Sequence, residues 1–244
     1  MSDPDAADRL RDRAPRADAV TPNPPSQTPA RTNIEGRWTL LKPVDPAAEA
    51  SALFAASHRA TDEAETLWRY MPYGPFADEA AFRRWIDGAA RSADPLFYTI
   101  VDRASGRPVG MASYLNIHPN NGSIEIGHIW FGAAVQRSRV TTEALWLMMR
   151  HAMDDLKYRR LEWKCNALNA PSRVAARRLG FRYEGIFYKH LVVKGLNRDT
   201  AWYSILDDEW PPIRAAFEAW CDPANFDTAG KQKKRLGAGE RRNK

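Results

Sequence analysis

Residues 124–144, IEIGHIWFGAAVQRSRVTTEA, combine backbone and side chains that could hold an anion. An apolar strand pattern runs into a short loop and then into a helix opening on Thr141 and Thr142. A helix start presents N–H groups without intrahelical acceptors and carries the positive end of the helix dipole. Arg137 and Arg139 in the loop add two positive charges where a pyrophosphate would sit. The alternative is that Thr141 or Thr142 is an N-cap and both arginines are solvated. Glu125 and His128 precede the loop, and strand alternation sends them to opposite faces unless a bulge at Gly127 resets the register. Farther along, Asn169-Ala-Pro-Ser172 puts a serine hydroxyl at a helix start, where Pro171 also fits. Residues 67–76, LWRYMPYGPF, are too broken by Pro and Gly to be regular throughout; such aromatics either wall a binding site or pack a loop down.

The elements that would position these residues follow from periodicity. Residues 37–42 alternate as a first strand closed by Pro43, and Asp45-Pro46 opens a helix carrying Ala50, Leu53, Phe54 and Ser57 on one face. A second helix starts at Asp78, ahead of Phe82, Trp85 and Ile86. Residues 96–131 hold three strand patterns, LFYTIVD, PVGMASYLNI and SIEIGHIWF, separated by tight turns and therefore antiparallel. From Thr142, Leu145, Met148, Met149, Ala152 and Leu156 mark one helical face. The strand LEWKCN occupies 161–166. A helix over about 171–179 ends at Gly180, strands follow near 182–193 and 201–207, and Trp210-Pro211-Pro212 opens a last helix carrying Ile213, Phe217 and Trp220. A strand, helix, strand step inside an antiparallel sheet predicts an α+β fold with one parallel crossover. The strands should splay where the crossover meets the meander, leaving a crevice at their carboxyl ends.

Composition bounds the rest. The 244 residues carry a formal charge of +6, but the last fourteen, KQKKRLGAGERRNK, hold seven bases and one acid and account for all of it. All 26 aromatic residues lie between residues 34 and 226, so one core-forming domain is expected there, after a Pro-rich disordered leader over 1–33 and before a basic disordered tail over 227–244. Cys165 and Cys221 have neither the spacing of a zinc site nor that of a disulfide framework, so a reducing compartment is expected. The N-terminal residues lack the basic and apolar regions of a signal peptide, and no apolar run approaches the roughly 20 residues of a membrane span, which points to the cytoplasm. The tail, without aromatics or a groove-reading motif, could meet nucleic acid only through phosphates.

This order of elements resembles the GNAT superfamily of CoA-dependent N-acyltransferases, in particular its RimJ/RimL-like branch, over about residues 34–210. The resemblance rests on EIGHIWF at 125–131, on Gln136 with Thr142-Glu-Ala144, on Asn169-Ala-Pro-Ser172, and on the run AARRLGF at 175–181 followed by Glu184-Gly185. It implies a mixed, mostly antiparallel sheet of about six to seven strands flanked by helices. It further implies a metal-free attack of a primary amine, from a protein N-terminus or a small molecule, on acetyl-CoA. On this resemblance Glu125 is the candidate base, the alternative being an outward-facing strand acid, with His128 ranked second. Ser172 is the candidate group near the CoA sulfur, Tyr188 being the other possible acid. Gln136, Arg137, Ser138, Arg139, Val140, Thr141, Thr142 and Asn169 would bind the cofactor. Tyr70 and Tyr73, with residues 194–200 opposite, would line the acceptor side, although the tyrosines could equally pack over the first helices, and Arg198-Asp199 could equally be a turn-stabilising ion pair. One departure stands out. The family's phosphate loop has small residues where this chain has Arg139 and Thr141. A GNAT-fold module that binds CoA or a partner without turnover is therefore the competing expectation.

Overall fold

A computed structural model of the chain describes residue 20 and residues 26–239. Eight strands form one sheet in the order β1-β2-β3-β4-β5-β6-β8-β7. They are β1 (Ile34–Glu35), β2 (Thr39–Pro43), β3 (Leu96–Asp102), β4 (Arg107–His118), β5 (Ser123–Phe131), β6 (Arg160–Asn166), β7 (Arg182–Val193) and β8 (Leu196–Leu206). The helices are α1 (Pro46–Ser57), α2 (Thr61–Trp68), α3 (Glu79–Arg91), α4 (Arg139–Arg150), α5 (Ala170–Arg178) and α6 (Trp210–Trp220). All strand pairs are antiparallel except β5–β6, which is the expected crossover.

Strand alternation divides the core between the two faces of the sheet. Leu96, Tyr98 and Ile100 of β3, with Tyr114, Ile124 and Ile126, pack against α4, α5 and α6. Phe97, Met111 and Trp130 pack on the other face with Leu53 of α1, Trp68 of α2, and Phe82 and Ile86 of α3. Every residue of α4 from Val140 to Met149 is buried, including Glu143, whose carboxylate accepts the backbone N–H groups of Arg37 (2.9 Å) and Trp38 (2.6 Å). Glu143 therefore anchors the turn between β1 and β2, which offsets the desolvation of its charge.

The structure departs from the sequence expectations in four places. Residues 61–68, TDEAETLW, form α2, whose buried side chains Ala64 and Trp68 are too few for a visible apolar stripe. Residues 194–200 are not a loop: Lys194-Gly195 turns the β7–β8 hairpin, with Lys194 at φ +50° and Gly195 at φ +76°, and β8 begins at Leu196. The sheet has eight strands rather than six or seven.

The fourth departure concerns the two chain ends. Most of the leader lies outside the described residues, but Ser26 donates to the Lys157 carbonyl (2.9 Å), and the Ala30 carbonyl accepts from Tyr98 Oη (2.9 Å). Residues 227–239, expected in a disordered tail, fold back. Gln232 pairs with Phe226 and accepts from the Trp220 indole (2.7 Å), and Leu236 and Ala238 are buried in the core. Two apolar contacts and an indole hydrogen bond oppose the entropy that the segment's charge pattern favours.

Candidate active site

The parallel pairing of β5 with β6 spans Ser123↔Arg160, Ile124↔Leu161 and Glu125↔Glu162. Beyond that point the strands part, with β5 running on to Phe131 and β6 to Asn166. Glu125 thus stands at the apex of the splay, in the last hydrogen-bonded pair.

Two bulges in the β4–β5 hairpin aim side chains toward the Glu125 face. Ser113 pairs with Gly127 and Met111 with Trp130, so His128 and Ile129 oppose Ala112 alone, and His128 adopts φ +51°. The bulge lies one residue beyond Gly127. It places His128 and Trp130 on the same face as Glu125, which plain alternation would not do. Nearer the hairpin tip, Asn116 (φ +47°) and Ile117 oppose Ile124, and their N–H groups donate to the Asp94 carboxylate at 2.9 and 3.0 Å. Asn116 Nδ2 then donates to Glu125 Oε2 (2.7 Å).

Strand β6 supplies the rest of the polar cluster. Leu161, Trp163 and Cys165 enter the core, while Glu162 and Lys164 point the other way. Lys164 Nζ is 3.0 Å from Glu125 Oε2, 2.8 Å from Glu162 Oε2 and 4.1 Å from the centre of the Trp202 ring. Burial raises the Glu125 carboxyl above its ordinary range, and the Lys164 charge with the hydrogen bonds from Lys164 and Asn116 opposes that rise. For Glu162 burial also works upward, but hydrogen bonds from Arg160 and Lys164 prevail and its pKa is lowered. Arg198 faces this cluster from β8 and acts on both Glu125 and His128. Asp199 instead accepts from the Lys189 backbone (2.7 Å) and from Asn197 Nδ2 (2.9 Å), so the two side chains do not act as one turn-stabilising pair.

Tyr73 Oη lies 2.9 Å from His128 Nδ1. Burial and the Arg198 charge push the imidazole down to about 4, and burial raises the Tyr73 hydroxyl above its ordinary value. Both groups are therefore neutral, and in the tautomer protonated at Nε2 the tyrosine is the donor to Nδ1. Tyr70 departs from this cluster and donates to the Leu168 carbonyl (3.1 Å), while Lys194 Nζ donates to the Trp68 carbonyl (2.8 Å). These contacts tie the aromatic loop to the β6–α5 connection and to the β7–β8 hairpin around the splay.

Ser172 lies on the opposite face of the sheet from Glu125. Its hydroxyl accepts from the indole of the core residue Trp163 (3.1 Å). Asn169 rather than Ser172 is the N-cap of α5, since Asn169 Oδ1 accepts the Ser172 N–H (3.2 Å). Tyr188 is 75% exposed on the edge strand β7, two strands beyond β6 in the sheet order.

The candidate phosphate loop leads from β5 into α4. Ser138 caps the helix, its Oγ accepting the Thr141 N–H (3.5 Å), and its carbonyl accepts from Thr141 Oγ1 (3.1 Å) and Thr142 Oγ1 (3.2 Å). Gln136 Nε2 donates back to the Phe131 carbonyl (3.1 Å), and Arg137 is exposed with φ +60°. The Val140 carbonyl accepts from Thr39 Oγ1 (2.8 Å). Arg139 does not project over the helix terminus; its guanidinium lies 5.1 Å from the Trp38 ring centre and 5.8 Å from that of Phe226. Arg178 instead approaches the first turn, with Nη1 3.3 Å from Thr142 Oγ1. Among the described residues no group of three or more His, Cys, Asp or Glu could hold a metal ion.

Sequence patterns missed Asn116, Glu162, Lys164 and Arg178. The alternation of LEWKCN carried a usable signal for Glu162 and Lys164, whereas Asn116 depends on a bulge and Arg178 on packing between distant elements.

The model of the acetyltransferase (GNAT) domain matches residues 39–182. A solved structure of a GCN5-related N-acetyltransferase from Brucella melitensis is 48% identical, with a TM-score of 0.84 over 87% of this chain and 95% of that one. A GNAT-family acetyltransferase structure from Chromobacterium violaceum is 36% identical, with a TM-score of 0.74 over 82% of this chain and 98% of that one. The Bacillus subtilis protein named as a ribosomal N-acetyltransferase, YdaF, is 30% identical over 105 residues, which are 43% of this chain and 57% of that protein. The chain thus spans little more than half the length of this curated relative.

Proposed function

This chain belongs to the GNAT acetyltransferase family, and on that premise we propose that it transfers an acetyl group from acetyl-CoA to a primary amine by direct attack on the thioester. The observation that carries the reading is the parting of β5 and β6 at Glu125, with an open helix terminus after one strand and a serine hydroxyl beside the other. The chemistry of the donor set fits the CoA diphosphate. The N–H groups of Arg139 and Val140 in the first turn of α4 have no helical acceptor, and Arg178 adds a cation nearby. Arg139 and Thr141, larger than the residues of the family loop, have their side chains folded onto Trp38 and the Ser138 carbonyl, so their bulk is compatible with phosphate at the backbone.

Acetyl-CoA supplies the activated acyl group; the chain's residues supply proton transfer and alignment. An amine arrives mostly as an ammonium and must lose a proton before it attacks. Glu125, buried at the apex, accepts that proton directly or through one water. In the tautomer that accepts from Tyr73, His128 presents a neutral Nε2–H donor on the same face, suited to orienting the acceptor. On the other face, Ser172 Oγ already accepts from Trp163, so its own O–H is available to donate a hydrogen bond to the departing thiolate, which takes up the second proton shed by the attacking amine. Tyr73 lines the acceptor side through His128, and Tyr70 fixes the loop.

The acceptor is a protein N-terminus or a small-molecule amine. The name of YdaF makes ribosomal-protein N-terminal peptides the first to try. No described helix is long and apolar enough to cross a membrane, and neither Cys165 nor Cys221 is in a disulfide. We place the activity in the cytoplasm, where free thiols persist. The test is calorimetric titration with acetyl-CoA, followed by thiol release against N-terminal peptides, amino acids, polyamines and aminoglycosides. Absence of saturable acetyl-CoA binding overturns the reading. Binding without thiol release on any acceptor would make the chain a CoA-binding module instead.

A further inference from the structure

We propose that Lys164 is a positioning residue that holds Glu125 in its charged, proton-accepting form where β5 and β6 part. This rests on the reading of Glu125 as the base. The geometry is specific: one ammonium lies 3.0 Å from Glu125 Oε2 and 2.8 Å from Glu162 Oε2, with its remaining side against the Trp202 ring. The Lys164 side chain is 13% exposed and those of Glu125 and Glu162 are 6% and 13% exposed, so water screens these charges poorly. Without a cation beside it, a carboxyl this deeply buried takes up a proton and ceases to be a base.

Among the described residues few charged groups face Glu125, and the His128 imidazole on the same face of β5 is neutral above about pH 4. Lys164 and Glu162 come from β6 and Arg198 from β8, while β4 contributes the neutral amide of Asn116. Glu162 acts in two ways: it repels charge on Glu125 and it takes a share of the Lys164 ammonium. Lys164 and Glu162 therefore push the base in opposite directions, and removing each should shift its titration with opposite sign. The Trp202 face completes the pocket, which retains the ammonium without a third carboxylate.

The experiment is a carbon-13 titration of the Glu125 carboxyl in the full chain labelled at glutamate, with Glu125→Gln assigning the resonance. Lys164→Met should move the midpoint to higher pH by about one unit, and Glu162→Gln should move it lower. Lys164→Arg, which keeps the charge, should leave the midpoint close to wild type. If Lys164→Met proves unfolded by circular dichroism, Glu162→Gln and Lys164→Arg carry the test with the same expected signs. Acetyl transfer to a free N-terminal peptide should follow the titration, the acid limb of kcat/KM for Lys164→Met falling roughly tenfold below wild type and converging with it at high pH. A Glu125 midpoint unmoved by Lys164→Met, or unmoved by Glu162→Gln, overturns the proposal. Failure of the wild-type chain to bind acetyl-CoA overturns the functional reading instead, and the titration separates the two.

Discussion

Glu125→Gln keeps an acceptor oxygen for Asn116 but removes the proposed proton acceptor. The rate of thiol release should fall by roughly 10²- to 10⁴-fold while the calorimetric affinity for acetyl-CoA stays near wild type. One double substitution separates the structural role of Ser172 from the chemical role proposed for it. Ser172→Ala leaves the Trp163 indole without its acceptor, at a stability cost of about 1–3 kcal/mol in urea unfolding. In a Trp163→Phe background that cost should largely vanish, while the loss of rate should persist. His128 makes the fold sensitive to acid. Its imidazole stays neutral in the fold down to about 4, whereas in the unfolded chain it takes a proton near the ordinary 6.5. Below 6.5 the unfolded state binds more protons, so stability is fully present above that value and declines as the pH falls toward 4. The full shift corresponds to about 3 kcal/mol at most. A His128→Gln variant should lose that part of the pH dependence in thermal melts between pH 7 and pH 4, and an unchanged slope would contradict the assignment.

At the scale of elements, Asn169 holds the start of α5 and with it the Ser172 backbone. Asn169→Ala should cost about 1 kcal/mol and slow thiol release without abolishing it, as measured by unfolding and by steady-state rates. Periodicity shows α4 and β3 well because burial dictates their residues: Val140 to Met149 are all inside, and β3 alternates between two cores. Gly180, at φ +97°, ends α5 as its residue type announces. The β5–β6 splay was legible for the same reason, since a parallel crossover in an antiparallel meander leaves one pair of strands free to diverge. The placement of His128 was only half legible. The alternation rule fails wherever one extra residue enters a strand, and neither His128 nor Asn116 is a residue type that announces a bulge as glycine would. Helix α2 escaped because two buried side chains make no stripe, and Lys164 escaped because a lysine in a strand usually points to water.

Over the whole molecule the charge reading needs the largest revision. The bases after residue 230 do account for the excess charge, yet the segment that carries them is stitched to α6 through Gln232 and seats Leu236 and Ala238 in the core. Leu236→Ala should therefore destabilise the entire domain by about 2–4 kcal/mol, read as a lower urea midpoint with an unchanged slope. A free tail would show no effect. The placement of Glu125 and Ser172 on opposite faces of the sheet has a kinetic consequence. If acetyl-CoA enters from the α4 side and the amine from the α1–α3 side, neither occupies the other's path, and both must be present before any bond changes. Initial-rate plots should then intersect rather than run parallel. Free CoA should compete with acetyl-CoA but not with the amine. Parallel lines would mean that the acetyl group rests on the protein between two half-reactions, an arrangement that a partition with one doorway from each side does not require.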